Sequence, residues 1–250
     1  MNENLSKNKW KVELASDHYD LFEYETLFEK FLDAGIYNIT FNDSTCKICG
    51  LEKKSNLNEI CHRKNNHERL KFTNGVFQIG YYFNKNSLEL RKKGDQLTTH
   101  IQNLKDRIEF AEPLAMVAID IIKNNHNSLL EADFIIPVPS FSKDNLQNVN
   151  AYAFANEIHR ILQNEGHETK LLDCIKKTKK IKIQKLTTEE EISEAVNDLF
   201  AVDEETNLTG KKILLVDDNL TSGNTAGKCA ELLKNNGAEI VWVFVAGRTI

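Results

Sequence analysis

Between Lys211 and Thr225 the chain reads KKILLVDDNLTSGNT, which sets two carboxylates just ahead of a small hydroxyl- and amide-rich run. Asp217 and Asp218 could accept hydrogen bonds from two neighbouring sugar hydroxyls, or stabilise positive charge generated at a sugar. Thr221, Ser222, Gly223, Asn224 and Thr225 offer hydroxyl and backbone N–H donors, and Gly223 permits close backbone approach to a ligand. Two carboxylates alone would repel phosphate. Beside such a cradle they suit one ligand with vicinal hydroxyls at one end and a phosphate at the other, which is a sugar phosphate.

A second group of residues suits a soft metal. Cys46 and Cys49 form a C-x2-C step followed by Gly50, a spacing that aims two thiolates at one ion. Cys61 is the third candidate ligand, and His62 or His67 the fourth. His67 is preferred, because adjacent Cys61 and His62 need a tight arrangement to reach a single ion. Such a set would make a closed structural zinc site rather than an open catalytic one. Reduced, non-ligating cysteines and redox chemistry are the competing readings. Cys229 shares a helical face with Ala226, Ala230 and Leu233 and is expected in the core.

A third feature is basic. Lys176–Lys185 holds six lysines in ten residues and is followed by Thr187, Thr188 and the acids Glu189, Glu190 and Glu191. The run could close over a phosphate or remain a solvated loop. Nucleic-acid binding has weaker support, since no aromatic residues interleave with the lysines to stack on bases.

These residues need elements to hold them. Ile213–Val216 reads as a strand buried on both faces, with Asp217 and Asp218 at its carboxyl end. Gly223–Asn235 follows as an amphipathic helix, with Gly237 as a C-cap. Ligands of open α/β sheets bind beyond the carboxyl ends of strands, where helix N-termini accept phosphate. Further strands are expected at Asn74–Phe83 after the Asn74-Gly75 turn, at Phe134–Ile136 before Pro137-Val138-Pro139, at Leu171–Leu172 and at Ile240–Ala246. Helices are expected over Tyr19–Leu32, over much of Ile101–Ile122, and around Ala151, Phe154, Ala155, Ile158, Ile161 and Leu162. This alternation predicts an α/β fold with a mainly parallel sheet covered by helices on both faces.

The 250 residues suffice for one sizeable core plus a small appendage. We expect residues 1–72 to form an N-terminal helix plus zinc-knuckle module and residues 73–250 the main domain. The net charge of −5 disfavours indiscriminate polyanion binding. No apolar stretch is long enough to span a membrane, and the start MNENLSKNKW lacks the apolar body of a signal peptide. The odd set of five cysteines is too sparse for a disulfide scaffold. Together these predict a cytoplasmic protein with no membrane partner.

Ile213–Thr225 resembles the signature of type I phosphoribosyltransferases, in which an apolar strand leads to two acids and a T-T-G-x-T-like loop. The chain is more specifically similar to the ComF/GntX-like, or amidophosphoribosyltransferase-like, branch, a group linked to competence. Ile135-Ile136-Pro137-Val138-Pro139 resembles that branch's I-V-P-V-P strand exit, and HIQNLKDR around Lys105 its I-H-x-L-K-Y-x-G segment. Gln184, Leu186, Asn197 and Phe200 are similar to its Q-x-L and R-x-N-x-x-x-A-F stretches, and Arg248 matches its short ending. The likeness covers about Cys46 to Ile250.

The resemblance implies that Asp217 and Asp218 contact the ribose hydroxyls of phosphoribosyl pyrophosphate. It also implies that Thr221–Thr225 hold the 5-phosphate and that Mg2+ bridges pyrophosphate and ribose oxygens. Lys105 and Lys143 become candidate pyrophosphate contacts. Cys61 and His67 would be a C-x5-H variant of the branch's second knuckle, completing a structural Zn2+ site with Cys46 and Cys49. The partner would be a phosphoribosylated small molecule or nucleotide.

Two departures bear on activity. Ser140–Asn150 replaces an arginine-rich L-x-x-x-R-x-x-x-R-G-F-N-Q segment, and the arginine expected near Gln184 is absent. One lysine does not reproduce the bidentate phosphate grip of two arginines. The sugar-phosphate half of the pattern is present and the pyrophosphate half eroded. The alternative to a transferase is therefore a catalytically weak nucleotide- or sugar-phosphate-sensing protein accessory to DNA processing or uptake.

Overall fold

A computed structural model describes residues 46–51, 64–83, 96–105, 107–139, 149–177 and 199–249. The expected helix at Tyr19–Leu32 lies outside these residues, as do Cys61, His62, Lys143, Gln184, Leu186 and Asn197.

A five-stranded sheet organises the described residues. Its strands are β1 (Val76–Tyr82), β2 (Phe134–Pro137), β3 (Lys170–Leu171), β6 (Lys212–Leu220) and β7 (Ile240–Thr249), in the order β1-β7-β6-β2-β3. Every pairing in it is parallel. The helices are α1 (Lys64–Arg69), α2 (Gln96–Asn103), α3 (Ala111–Asn125), α4 (Val149–Asn164) and α5 (Asn224–Asn235). A separate antiparallel pair joins β4 (Ile175–Lys177) to β5 (Phe200–Val202). The expected alternating α/β architecture with a parallel sheet is therefore observed.

Side chains on successive strand positions leave the sheet on opposite faces, and the two central strands show this directly. Leu214, Val216, Trp242, Phe244 and Ala246 join one apolar cluster with Leu97, Ile101, Leu114, Ile122, Phe154, Ala155 and Ile158 from α2, α3 and α4. Ile213, Leu215, Val241, Val243 and Val245 join the other with Ala226, Cys229, Ala230 and Leu233 from α5. Burial on both faces explains why these strands read as unbroken apolar runs. Cys229 sits in the core as expected, and burial raises its thiol far above the usual range.

Three boundaries differ from the sequence expectation. The strand expected over Ile213–Val216 continues to Leu220, so Asp217 and Asp218 lie within its last residues; β7 pairs with this extension through Asp217–Val245 and Asn219–Gly247. The helical stretch after Ile101 is two helices separated by a 3-10 turn at Ile108–Phe110, with Pro113 in the first turn of α3, where its missing N–H costs nothing. Ile175–Lys177, at the start of the lysine-rich run, is a strand whose pairing with Phe200–Val202 is a long-range contact invisible to local pattern.

The second cluster also contains Cys46, Cys49, Leu51 and Leu70, so the knuckle segment shares its apolar core with β6, β7 and α5. The Val76 N–H donates to the Lys47 carbonyl, and the Gln78 side chain, itself buried, donates to the Gly50 carbonyl at 2.9 Å. Gly50 is left-handed (φ 71°), and a Cβ there would lie 2.4 Å from Gln78 Oε1. Only glycine satisfies both conditions.

Two buried histidines are expected to make the fold acid-sensitive. The His100 ring packs 5.1 Å from Phe110, and that of His126 4.8 Å from Phe77. Burial pushes each imidazole from 6.5 down to about 4. A lowered folded-state value stabilises the fold above the unfolded pKa and loses that contribution as pH falls through the folded one. Stability should therefore decline between pH 6.5 and about 4. The slope of unfolding free energy against pH should show the two histidines binding protons on unfolding in this window; a flat profile would contradict it.

Among the described residues, no helix is long and apolar enough to cross a membrane.

Candidate functional site

The candidate sugar-phosphate site stands at the carboxyl end of β6, the central strand between β7 and β2. Asp217 and Asp218 are both half-buried. The Asp218 N–H donates to Asp217 Oδ1 at 2.9 Å, tying the two residues locally. Burial, and then repulsion from the neighbouring Asp218 carboxylate, raises the Asp217 carboxyl well above the usual carboxylate range; the Lys105 ammonium acts in the opposite direction. Lys105, exposed just beyond α2, thus acts on Asp217 through its charge, while Lys143 lies outside the described residues.

The strand leads into Thr221–Gly223 and then directly into α5. Gly223 caps the helix in the left-handed conformation (φ 85°), and its carbonyl accepts the Gly227 N–H at 2.8 Å. Thr221 is exposed, Gly223 buried, and Ser222, Asn224 and Thr225 are half-buried. Thr221 Oγ1 lies 3.1 Å from Thr249 Oγ1, which in turn donates to Asn219 Oδ1 at 3.0 Å. The Asn224 N–H meets Ser222 Oγ at 3.4 Å. The first N–H groups of an α-helix have no carbonyl partner within the helix and point out of its N-terminus. The structure thus brings the acid pair and the loop together in one strand–loop–helix unit, with Lys105 near it in charge.

The second cluster lies behind this unit. Ligand atoms of Cys46, Cys49 and His67 all fall within 4.8 Å of one another, so the three could hold a metal ion. Two thiols and an imidazole fit a thiophilic divalent ion such as Zn2+. Cys46 Sγ is 3.1 Å from His67 Nε2. The Cys49 thiol donates to Cys46, and together with the Cys49 and Ile48 N–H groups and His67 holds that thiol down at about 4 despite burial. A thiolate at neutral pH is the form a metal needs.

Several residues that build the site escaped the sequence analysis. Arg248 reads in the sequence only as part of a short ending. Its side chain is buried, with Nε donating to the Cys49 carbonyl at 2.9 Å and Nη1 to the carbonyls of Leu220 (2.6 Å), Thr221 and Thr249 (3.3 Å). Leu70 is fully buried against Gly223, where a Cβ would sit 3.1 Å from its Cγ. Gly227 lets α5 approach the Arg69 carbonyl so closely that a Cβ would be 1.9 Å away. A faint signal existed: an arginine and a glutamine inside otherwise apolar strands must find buried partners.

An open parallel sheet with an acid pair and a glycine-capped helix at one strand's carboxyl end has the arrangement in which α/β folds commonly place a ligand. The model of the phosphoribosyl transferase domain matches residues 147–248, from the start of α4 through β7. A type I phosphoribosyltransferase domain is therefore present over part of the chain. No curated protein matches the sequence.

Proposed function

We propose that this chain is a ComF-like, Mg2+-dependent phosphoribosyltransferase that binds phosphoribosyl pyrophosphate and transfers its phosphoribosyl group to a nitrogen acceptor. The observation that carries this reading is the direct succession of Asp217-Asp218, the Thr221–Thr225 loop and the α5 N-terminus, all within the matched domain.

Asp217 and Asp218 accept hydrogen bonds from the ribose 2- and 3-hydroxyls and favour positive charge at C1 electrostatically. Charge-assisted bonds of this kind contribute about 1.5–3 kcal/mol each. Backbone N–H groups and hydroxyls of Thr221–Thr225 hold the 5-phosphate, and the α5 dipole adds roughly 0.3–1 kcal/mol. Lys105 and Lys143 are the candidate pyrophosphate contacts. The C1–O bond to pyrophosphate breaks with its electron pair leaving on oxygen, and the nitrogen lone pair forms the new C1–N bond. A proton leaves the nitrogen where the acceptor carries one. The protein's part is placement and electrostatic stabilisation, with no covalent enzyme intermediate.

Paired carboxylates also suit a hard cation, and Mg2+ would supply charge neutralisation for the pyrophosphate leaving group. Zn2+ on Cys46, Cys49 and His67, with Cys61 as a further ligand, would be structural.

The second reading, a non-enzymatic sugar-phosphate or nucleotide sensor accessory to DNA processing, is favoured by the missing arginines after Pro139. Incubating the purified protein with phosphoribosyl pyrophosphate, Mg2+ and a panel of nitrogen acceptors separates the two. Acceptor-dependent pyrophosphate release with a ribosylated product supports transfer; binding without release supports the sensor; absence of both refutes the sugar-phosphate site.

A further inference from the structure

We propose that Arg248 is a positioning residue coupling the Cys46/Cys49/His67 cluster to the phosphate loop, so that a Zn2+ ion on the cluster raises the loop's affinity for a sugar phosphate. The ligand in this statement rests on the reading above; the coupling itself rests on geometry.

A buried guanidinium is costly unless its donors are satisfied. Arg248 is 1% exposed, and its side chain donates to backbone carbonyls on two separate segments. They fall into two groups: Cys49 in the C-x2-C turn, and Leu220 with Thr221 where β6 becomes the loop, joined by the neighbouring Thr249. The planar fork serves both groups from one rigid unit, through Nε on one side and Nη1 on the other. A shift of the C-x2-C turn therefore moves or unpairs the charge that aligns the loop entrance.

The other half of the cluster presses on the far end of the same loop. His67 lies on α1, which ends at Arg69, where the Arg69 carbonyl touches the Gly227 position and Leu70 fills the space beside Gly223. The turn and α1 meet through the Cys46 Sγ–His67 Nε2 contact. An ion bonded to both would clamp them, and with them Thr221 at one end of the loop and Gly223–Gly227 at the other. Coupling of this type is reciprocal and commonly worth about 5- to 150-fold.

Hydrogen exchange on the full chain, Zn2+-loaded and chelator-stripped, tests the clamp without any sugar ligand. Stripping should speed exchange about 10-fold or more at 46–51, 64–73 and 220–227, leaving β2 and α4 protected. In Arg248→Met and Arg248→Lys, 220–227 should exchange fast in both states; lysine keeps the charge but lacks the fork. Indifference of 220–227 to Zn2+ in the unaltered chain overturns the proposal, as does even loss of protection across the whole sheet. So does an Arg248 variant that folds and keeps the original response. The unaltered chain decides alone if neither variant folds.

Calorimetry with ribose 5-phosphate gives the linked readout. Its affinity should fall about 10-fold on stripping, and saturating ribose 5-phosphate should tighten Zn2+ in chelator competition by the same factor. That factor should approach one in the Arg248 variants. If ribose 5-phosphate does not bind the loaded protein, the sugar-phosphate reading fails, while the exchange comparison still decides the role of Arg248.

Discussion

Asp217→Asn is expected to change stability and binding in opposite directions. The Asp217 carboxyl is raised by burial and by the adjacent Asp218. A raised folded-state value means that its contribution is fully present below the unfolded value near 3.8 and is lost as pH climbs through the folded one. At neutral pH the folded chain must either hold this charge against burial and Asp218 or keep a proton that the unfolded chain has lost, and asparagine removes either cost. The variant should gain about 0.5–2 kcal/mol at pH 7.5, as relief of a functional site commonly does. The gain should vanish below pH 3.8. Affinity for phosphoribosyl pyrophosphate should meanwhile fall about 10- to 100-fold, the equivalent of one charge-assisted hydrogen bond. Asp218→Asn should lose affinity similarly. Denaturation at two pH values and calorimetry measure both arms; unchanged affinity in the double variant would remove the acids from the site.

The second large effect belongs to Gly227→Ala. Within a helix this exchange ordinarily stabilises by about 1 kcal/mol. Here the new methyl would stand 1.9 Å from the Arg69 carbonyl oxygen and 2.8 Å from its carbon, and neither atom belongs to a side chain that could swing aside. Either α5 or the end of α1 must retreat. The expected result is a destabilisation of about 1–3 kcal/mol, the range for overpacking. Retreat of α1 also moves His67, so Zn2+ affinity should drop in the same variant. Denaturant unfolding and metal titration check it. An alanine variant as stable as the original would show that the helix crossing is looser than the contact implies.

The two experiments probe one arrangement from opposite sides. The acids stand at the carboxyl end of β6, while Gly227 and Arg248 lie where α1 and the C-x2-C turn back onto the loop. A defect in the first should leave Zn2+ binding intact; a defect in the second should disturb both metal and ligand.

Much of the candidate site was legible because its residues are contiguous. Asp217 to Thr225 lie on one stretch of chain, and the strand, loop and helix that carry them follow from an apolar run, a glycine and a helical stripe. The parallel sheet followed from strands alternating with helices, each strand apolar because both its faces are covered. Cys46 and Cys49 were legible for the same reason, being two turns of chemistry at fixed short spacing. His67, further along the chain, was the preferred of two histidines, and the fold brings it to them.

The extension of β6 through the acids was harder to foresee. Aspartate and asparagine disfavour strands locally, but β7 supplies a continuous ladder beside them, and tertiary pairing outweighs propensity. The β4–β5 pair was hidden because its partners are far apart in the chain and each is only three residues long.

From its residues alone this chain specified a parallel α/β sheet, a candidate sugar-phosphate edge and a candidate thiol–imidazole group, because hydrophobic period and short-range spacing are local properties of a polypeptide. Packing alone revealed that Arg248, Leu70 and Gly227 fasten that group to that edge. A buried charge answered by distant carbonyls, and a glycine chosen for what lies across from it, are set by long-range geometry, which no local pattern records.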